Sequence, residues 1–271
     1  MKVDLHLHTN ASDGALPPSE VVARADSAGL DLIAIADHDT TAGFAPARET
    51  AKDLEVDLIS AIEISANHRG RDIHILGYLV DPDDPAIAHH SAVARKRRAE
   101  RVREMIARLE ELGVLVDYDD VVAEAGPNAQ ALARPHLARV LWSQGDVSSV
   151  AEAFDRYIAD DGPAYVPVQA LDVAGAIERI QQAGGIAVWA HPPMPLLGGA
   201  LEEFVDAGLD GIECYRPRVS PSDLNRLLNK ARQYDLVVTG GSDWHGEWHG
   251  DLGNFHVDGA VLTDFLERVA A

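Results

Sequence analysis

Short apolar runs rich in valine and isoleucine alternate, along most of the chain, with segments whose apolar residues recur at helical spacing. Runs of this kind, separated by helices, are typical of parallel strands that are covered on both faces. The pattern therefore predicts an α/β fold with a parallel sheet. The predicted strands cover residues 3–8, 31–36, 56–63, 72–79, 186–190, 210–214 and 236–240.

Helix boundaries are marked most clearly near the start of the chain. The segment Pro17-Pro18-Ser19-Glu20 supplies prolines and an acidic residue for a first helical turn, and Gly29 supplies the stop. Further helices are predicted over residues 43–52, 170–183, 200–207, 221–234 and 260–270.

The alternation stops between residues 86 and 166, where helical patterns follow one another with no strand between them. We therefore expect a helical insertion at 86–166 within a domain formed by residues 1–85 and 167–271. The segment Ser149-Val-Ala-Glu152 has the spacing of a capping box and predicts the start of the last helix in the insertion. The first helix of the insertion carries one apolar stripe, formed by Val102, Met105, Ile106, Leu109 and Leu112.

Charge and composition narrow the function classes. Lysine and arginine number 23 against 44 aspartate and glutamate residues, which gives a formal net charge of −21. A chain this acidic repels the phosphate backbone, so we expect no duplex DNA as a partner. The longest stretch without charge, residues 183–201, is interrupted by prolines and glycines and predicts no membrane span. Because no secretory leader is visible and Cys214 is the single cysteine, we expect a cytoplasmic protein.

The placement of the 12 histidines is informative. His6 and His8 lie two residues apart, a spacing that in a strand puts both imidazoles on one face. In a parallel α/β barrel the carboxyl ends of all strands open on one face, where active sites lie. Four further polar clusters lie at or just after predicted strand ends, and one histidine lies within the fourth strand. These are Asp37-His38-Asp39, Glu63, Ala190-His191-Pro192, Ser242-Asp243-Trp244-His245 and, in the fourth strand, His74.

Each cluster taken alone has a structural alternative, since His191 before a proline suits a turn and Glu63 or Asp243 suits a helix cap. Core packing, however, gives no reason for half of the histidines to gather at one end of successive strands. Imidazole and carboxylate ligands together suit zinc, manganese or iron, and the mixture does not choose among these metals. The sequence therefore predicts a divalent metal site.

Five motifs lie in this order along the chain: Asp4-Leu-His-Leu-His-Thr-Asn-Ala-Ser-Asp13-Gly, Ala36-Asp37-His38-Asp39-Thr, Glu63, Ala190-His191-Pro and Gly241-Ser-Asp243-Trp-His245. Together they resemble the signature of the PHP (polymerase and histidinol phosphatase) superfamily. The resemblance implies a distorted (β/α)7 barrel with two or three divalent metal ions at its C-terminal face, two of them bridged by Glu63. The implied ligand groups are His6, His8, Glu63 and Asp243 for the first metal, Glu63, His74 and His191 for the second, and Asp13, His38 and His245 for the third.

Within this superfamily, the chain is most similar to a subfamily with a helical insertion after the fourth strand and an Arg-x-His motif in that insertion. The motif here is Arg134-Pro-His136. Members of that subfamily hydrolyse 3′,5′-nucleotide bisphosphates, and some degrade short RNA from the 5′ end. The resemblance therefore implies a phosphatase for a small nucleotide, with an active site that the insertion covers. Short single-stranded RNA is the alternative substrate.

Phosphate ester chemistry agrees with this assignment. Two divalent ions that share a carboxylate such as Glu63 generate hydroxide near neutral pH and stabilise the attacking and leaving oxygens. Arginine binds phosphate oxygens in pairs, so Arg134 is the first candidate for substrate binding. His136 is expected to donate a hydrogen bond or a proton to the leaving oxygen or, alternatively, to cap the insertion helix. Further candidate phosphate ligands are Arg98, Arg101 and Arg216.

Other functions differ from this one in particular sequence features. Histidinol phosphatase is disfavoured by the Arg-x-His insertion, and a non-catalytic module is disfavoured because every expected ligand is present.

The acidic loop at Asp160-Asp161 departs from the subfamily, in which a cation is common at this position. A metal-dependent amidohydrolase commonly bridges its metals with a carbamylated lysine, and no lysine here lies at a suitable strand end. The lysines are Lys2, Lys52, Lys96 and Lys230.

Overall fold

The computed structural model describes residues 1–160 and 162–270 and contains a 9-stranded mixed sheet. All of the predicted strands are present, and only the third departs from its predicted ends by more than one residue, because it continues to His68. Two further strands are short. The strands are β1 (Lys2–Leu7), β2 (Leu32–Ile35), β3 (Asp57–His68), β4 (Arg71–Tyr78), β5 (Leu171–Asp172), β6 (Ile186–Trp189), β7 (Gly211–Tyr215), β8 (Val237–Gly240) and β9 (Val257–Asp258).

The strand order in the sheet is β8-β7-β6-β4-β3-β2-β1-β9, and β5 pairs with β3. Strands β1 to β3 are parallel to one another, as are β6 to β8, as predicted. The prediction of a parallel sheet is wrong for β4, which runs antiparallel to both β3 and β6. The reason is the turn Arg69-Gly70, whose φ angles of 53° and 83° close a tight hairpin that is too short for a crossover helix.

The sheet curves until its two halves nearly meet. Beyond β8, Trp244 forms a parallel bridge with Leu7, and the N–H of His8 donates to the Trp244 carbonyl over 3.0 Å. The fold is therefore the α/β barrel type that the sequence predicted. Its interior is filled by apolar side chains from both halves, among them Val3, Leu5, Leu76, Tyr78 and Val188.

Helices connect most of the parallel strands. Each predicted helix is present with its ends within three residues of the prediction. Across residues 1–160 and 162–270, no helix is both long and apolar enough to cross a membrane. The helices are α1 (Pro18–Ser27), α2 (Phe44–Ala51), α3 (Pro85–Glu111), α4 (Tyr118–Ala125), α5 (Arg134–Gln144), α6 (Val150–Ala153), α7 (Val173–Gln182), α8 (Leu197–Asp206), α9 (Pro221–Gln233) and α10 (Thr263–Val269).

The segment from α3 to α6 forms an apolar core of its own. Val102, Met105 and Leu109 of α3 are buried in it, as the apolar stripe predicted. The prediction is wrong for Leu112, which is 47% exposed because α3 ends one residue earlier. The division of the chain into a barrel and an insertion stays a prediction.

The start of α6 follows its predicted signal in part. The Ser149 hydroxyl accepts the N–H of Glu152 over 3.1 Å, as expected of a capping box. The Glu152 carboxylate, however, accepts the N–H of Ser148, which lies one residue before the cap.

Candidate metal centre

The predicted ligands gather in one cluster at the end of the barrel-like sheet. His6 lies in β1 and His74 in β4, and most of the others follow β1, β2, β6 or β8. The exception is Glu63, which was expected just after the third strand and lies inside β3. It reaches the cluster because β3 runs past the end of β2 and bridges to His38.

Glu63 lies at the centre of the cluster and is fully buried. Its Oε2 lies 3.3 Å from Nε2 of both His6 and His8. The same oxygen lies 3.0 Å from Nδ1 of His38. His6 and His8 thus point to one side of β1, as their spacing predicted.

The other oxygen of Glu63 faces a different pair of imidazoles. Its Oε1 lies 3.0 Å from Nδ1 of His74 and 2.9 Å from Nε2 of His191. These two nitrogens are themselves 3.3 Å apart. One carboxylate therefore joins two groups of imidazoles, which is the geometry of a bridging ligand.

The ligand atoms form three groups, within each of which the atoms lie no more than 4.8 Å apart. The first group is the one that the family resemblance implied. The other two groups differ from expectation. His38 is present in the second group and His8 in the third. His191, which was expected in the second group, is not a member but lies within 3.3 Å of Glu63 and His74. The groups are His6, His8, Glu63 and Asp243; His38, Glu63 and His74; and His8, Asp13, His38 and His245.

Unpaired polar atoms in the cluster indicate that it suits divalent metal ions. Buried polar atoms in proteins almost always have a hydrogen-bond partner. Several atoms that face the middle of this cluster have none, and they are imidazole nitrogens and a carboxylate oxygen, the donors that zinc, manganese and iron bind. They are Nε2 of His6, Nδ1 and Nε2 of His8, Nδ1 of His38 and Oε2 of Glu63.

The carboxylates of the cluster are held in the ionised form that metal binding requires. Burial opposes ionisation, but the imidazoles of His38, His74 and His6 outweigh it and hold the pKa of Glu63 well below its usual range. The pKa of Asp13 is lowered in the same way, against burial, by His245 and His38.

A buried carboxylate that the sequence analysis did not single out orients two of the ligands. Glu213 lies in β7, and its Oε1 accepts Nδ1–H of His6 over 2.9 Å. Its Oε2 accepts the backbone N–H of His191 over 2.7 Å. The available signal was a glutamate inside an otherwise apolar strand, Gly-Ile-Glu-Cys-Tyr.

The loop after β8 is pressed against β1 by tight backbone contacts. A β-carbon at Gly241 would lie 2.4 Å from the Cβ of His6, so glycine is required there. The N–H of Ser242 donates to the Asp4 carboxylate over 2.8 Å. Asp243 then adopts a φ of 54°, an unusual conformation for a residue other than glycine and one that is concentrated at functional sites.

A pocket of about 290 Å³ opens onto the cluster, and three arginines line it. Arg134, at the start of α5, donates to Oδ1 of Asp160 over 2.7 Å and to the Ile158 carbonyl over 3.2 Å. Asp160 is 61% exposed, so this ion pair stands at the rim of the pocket. The neighbouring Asp161 lies outside the described residues.

The two other arginines come from α3 and are tied more firmly. Arg98 donates Nε–H to Asp39 and Nη2–H to Ser65, each over 2.7 Å, and all three side chains are buried. Burial alone would raise the pKa of Asp39, but Arg98 and His90 lower it below its usual range. No pattern in the sequence indicated this role for His90.

Arg101 uses its guanidinium in a similar way. It donates Nη2–H to Asp72 over 2.9 Å and Nε–H to the Val166 carbonyl over 2.7 Å. Together with Arg98, it fixes α3 over the strand ends.

Two residues that were predicted to contact the substrate, His136 and Arg216, do not line this pocket. His136 is buried, and its Nδ1 accepts the N–H of Ala133, so it caps α5, which is the structural alternative stated above. Burial lowers the pKa of His136 to about 4. Arg216 donates to the Pro192 carbonyl and lines a neighbouring recess that also contains His191 and Asp243.

A barrel-like sheet with histidines and carboxylates at one end is the architecture of metal-dependent hydrolases. The PHP domain model matches residues 4–158, and the chain belongs to the PHP domain family.

Similar proteins are found among characterised enzymes and solved structures. The chain is 36% identical over 249 residues to the 5′-3′ exoribonuclease of Haemophilus influenzae, covering 90% of each chain. It is 35% identical over 259 residues to the 3′,5′-nucleoside bisphosphate phosphatase of Chromobacterium violaceum, covering 93% of this chain and 90% of that protein. The structure of an amidohydrolase from Chromobacterium violaceum, with bound sulfate and no metal, superposes with a TM-score of 0.88 at 33% identity, covering 95% of this chain and 92% of that one.

Proposed function

We propose that this protein is a metal-dependent phosphoesterase that removes the 3′ phosphate from a nucleoside 3′,5′-bisphosphate. The observation that carries the proposal is the position of Glu63, whose two oxygens face two separate groups of imidazoles beside an arginine-lined pocket. The named relatives act on nucleotides or RNA, which favours a nucleotide substrate over histidinol phosphate.

Two or three divalent ions would be held by the three ligand groups described above, and manganese, zinc and iron all suit these donors. When bound, such ions polarise a phosphoryl group and supply a hydroxide nucleophile near neutral pH. The chain's own contribution is to hold the imidazole and carboxylate ligands in place, with the carboxylates ionised, and to orient the substrate. Glu213 serves the first purpose, since a buried carboxylate on Nδ1 of His6 leaves Nε2 facing the cluster.

Arg134 is the residue that we assign to the second phosphate of the substrate. Its present partner Asp160 is 61% exposed, whereas the Arg134 side chain is 21% exposed. Because Asp160 is largely solvated, a substrate phosphate can compete with it for Arg134. Arg98 and Arg101 are bound to buried carboxylates and have less freedom to change partners. We assign them to holding α3 in place over the pocket.

A second candidate function is 5′-3′ exoribonuclease activity on short RNA. It is favoured by the similarity to the exoribonuclease of Haemophilus influenzae, which extends over 90% of each chain. An amidohydrolase mechanism that uses a carbamylated lysine receives no support from the site. None of the four lysines named above lines the pocket or belongs to the ligand groups, and Glu63 takes the bridging position.

The experiment is a substrate panel measured with manganese: adenosine 3′,5′-bisphosphate, adenosine 5′-monophosphate, histidinol phosphate, an aryl phosphate and short oligoribonucleotides. We expect the bisphosphate to have the highest kcat/KM and to yield the 5′-monophosphate and inorganic phosphate. Excess chelator should abolish turnover, and manganese or zinc should restore it. Full activity in excess chelator by protein that contains no transition metal would overturn the metal-dependent mechanism. A preference for histidinol phosphate or the aryl phosphate would overturn the substrate assignment.

A further inference from the structure

A second cleft adjoins the metal pocket and is about twice as large, at about 600 Å³ against about 290 Å³. The two cavities share Pro135, Phe154 and His245 along their common edge. The larger cleft lies between α5 and the loop after β8 and continues from the metal pocket toward solvent. Its volume lies within the range of about 300–1,000 Å³ that is typical of small-molecule sites.

Two of the tryptophans in the chain line this cleft and are unusually exposed. Trp142 of α5 is 53% exposed, and Trp248 of the loop after β8 is 51% exposed. Trp248 belongs to the segment Trp244-His-Gly-Glu-Trp-His-Gly250, in which only His245 has a role in the function proposed above. Large aromatic side chains left open beside an active site are characteristic of recognition surfaces.

The ring of Trp248 is held in place by a cation. The guanidinium of Arg139 lies 5.5 Å from the ring centroid, within the range of a cation–π contact. Arg139 is itself anchored by Glu124, which accepts its Nε–H over 2.6 Å. Arg139 and Glu124 therefore hold the Trp248 ring in place while about half of the residue remains exposed to solvent.

The charge of the cleft is opposite to that of the whole chain. The formal net charge is −21, yet no described residue that lines the cleft is acidic. Arg139 and Arg218 line it. The charge of Arg139 is balanced by Glu124, whereas Arg218 has no ion-pair partner among residues 1–160 and 162–270. A surface that combines open aromatic rings with cations is complementary to a ligand that combines flat aromatic rings with anionic groups.

We propose that this tryptophan cleft, formed by Trp142, Phe154, Trp248, Arg139 and Arg218, is a stacking subsite for a nucleobase one nucleotide beyond the reacting phosphate. The inference rests on the proposed function, which puts a nucleotide phosphate at the metal centre. Bases stack on aromatic side chains whatever their identity, and arginines follow the backbone phosphates, so the subsite takes single-stranded oligonucleotides without base preference. It makes a short oligonucleotide bind more tightly than its terminal nucleotide alone.

The test measures binding rather than turnover. The probe is tetra-adenylate with phosphorothioate linkages, which resist hydrolysis, titrated into the full chain by isothermal calorimetry. We expect Trp248→Ala and Trp142→Ala each to raise Kd roughly five- to hundredfold, the effect of losing one stacked base. Trp248→Phe should restore binding to within about threefold of the wild type, because the ring is kept.

Two controls separate stacking from general effects. Leu115→Ala removes an apolar side chain that is 73% exposed and does not line the cleft, and its Kd should equal that of the wild type. An abasic tetranucleotide with the same backbone charge should bind the wild type as weakly as tetra-adenylate binds Trp248→Ala. Equal Kd values for tetra-adenylate in the wild type and both alanine variants would overturn the subsite. Equal binding of the abasic and adenylate probes would also overturn it, because it would show an anion surface only.

Hydrolysis of adenosine 3′,5′-bisphosphate, measured in parallel, keeps the two proposals apart. Tryptophan-dependent binding without any phosphoesterase activity would leave the subsite standing and overturn the proposed function. Hydrolysis without tryptophan-dependent binding would do the reverse.

Discussion

Nδ1 of His6 lies 2.9 Å from Oε1 of Glu213, although 207 residues separate them in the chain. A carboxylate can only accept, so this contact requires the proton to be on Nδ1 and leaves Nε2 free to face Glu63. Partners of this kind typically change metal affinity or activity by about 10–100-fold. We expect Glu213→Gln to raise the dissociation constant of the metal, measured as metal content after dialysis against graded chelator, by a factor in this range.

The matched control for Glu213→Gln is Glu267→Gln, an exposed glutamate in α10 that makes the same chemical change. Its metal content should follow that of the wild type at every chelator concentration. Equal metal retention in the Glu213 variant would show that His6 is oriented by other contacts.

Glu63→Gln keeps the shape of the side chain but removes the negative charge between the two imidazole groups. Because both oxygens of Glu63 face potential metal positions, the substitution should empty more than one site at once. We expect at least two metal equivalents to be lost in elemental analysis relative to the wild type, together with most of the turnover. Circular dichroism should show an unchanged fold, and loss of a single metal equivalent would mean that Glu63 serves only one ion.

Arg134→Ala should reduce kcat/KM for adenosine 3′,5′-bisphosphate roughly tenfold to a hundredfold, since a charge-assisted contact contributes about 1.5–3 kcal/mol. An aryl phosphate has no second phosphate and should lose much less. Equal losses on the two substrates would place Arg134 at the reacting phosphate or in the support of the fold.

Asp160→Asn tests the same contact from the other side. Asp160 competes with the substrate for Arg134 through a partly exposed ion pair, which contributes on the order of 1 kcal/mol. We expect kcat/KM for the bisphosphate to rise by up to about fivefold, through KM. A fall would show that Asp160 orients Arg134 for binding.

His136 makes stability depend on pH in a defined window. Burial lowers its pKa to about 4 in the folded chain, whereas the unfolded chain binds a proton below about 6.5. Above about pH 6.5 both states are neutral, and as the pH falls toward 4 only the unfolded state is protonated, so the free energy of unfolding decreases. By about pH 5 the loss amounts to about 2 kcal/mol.

His136→Asn provides the measurement. Asparagine keeps an acceptor for the N–H of Ala133 but does not titrate. In urea unfolding with chelator present, the decrease between about pH 7.5 and pH 5 should be about 2 kcal/mol smaller in the variant than in the wild type. An identical decrease in both proteins would contradict a neutral, buried His136.

The sequence predicts that the candidate ligands come together because strand ends are local features. Apolar runs locate β1, β2, β6 and β8 to within a residue, and the polar residues that follow them converge whichever strands are neighbours. The direction of β4 is harder to predict, since periodicity reports burial and not direction. The informative feature was the Arg69-Gly70 turn, and the same hairpin explains why Glu63 lies inside a strand.

The arginines could not be placed from sequence because their positions are decided by distant partners. Arg98 meets Asp39 across 59 residues, and Arg101 meets Asp72 across 29. A helical pattern shows that α3 has a buried face, but it does not show which acidic residue an arginine on that face will meet. Glu213 was missed for the related reason that its role appears only when β7 lies beside the loop of His191.

Arg98 and Asp39 join helix α3, which lies over the pocket, to the loop that follows β2. Both side chains are buried, and separating such a pair would leave a buried unpaired charge at a cost of about 3–5 kcal/mol. This cost holds α3 over the pocket in the absence of substrate and opposes its movement as a lid. The metal pocket instead adjoins the neighbouring cleft past Phe154 and His245, which leaves an opening that needs no movement of α3. An enzyme with such an opening requires no lid movement between successive substrates.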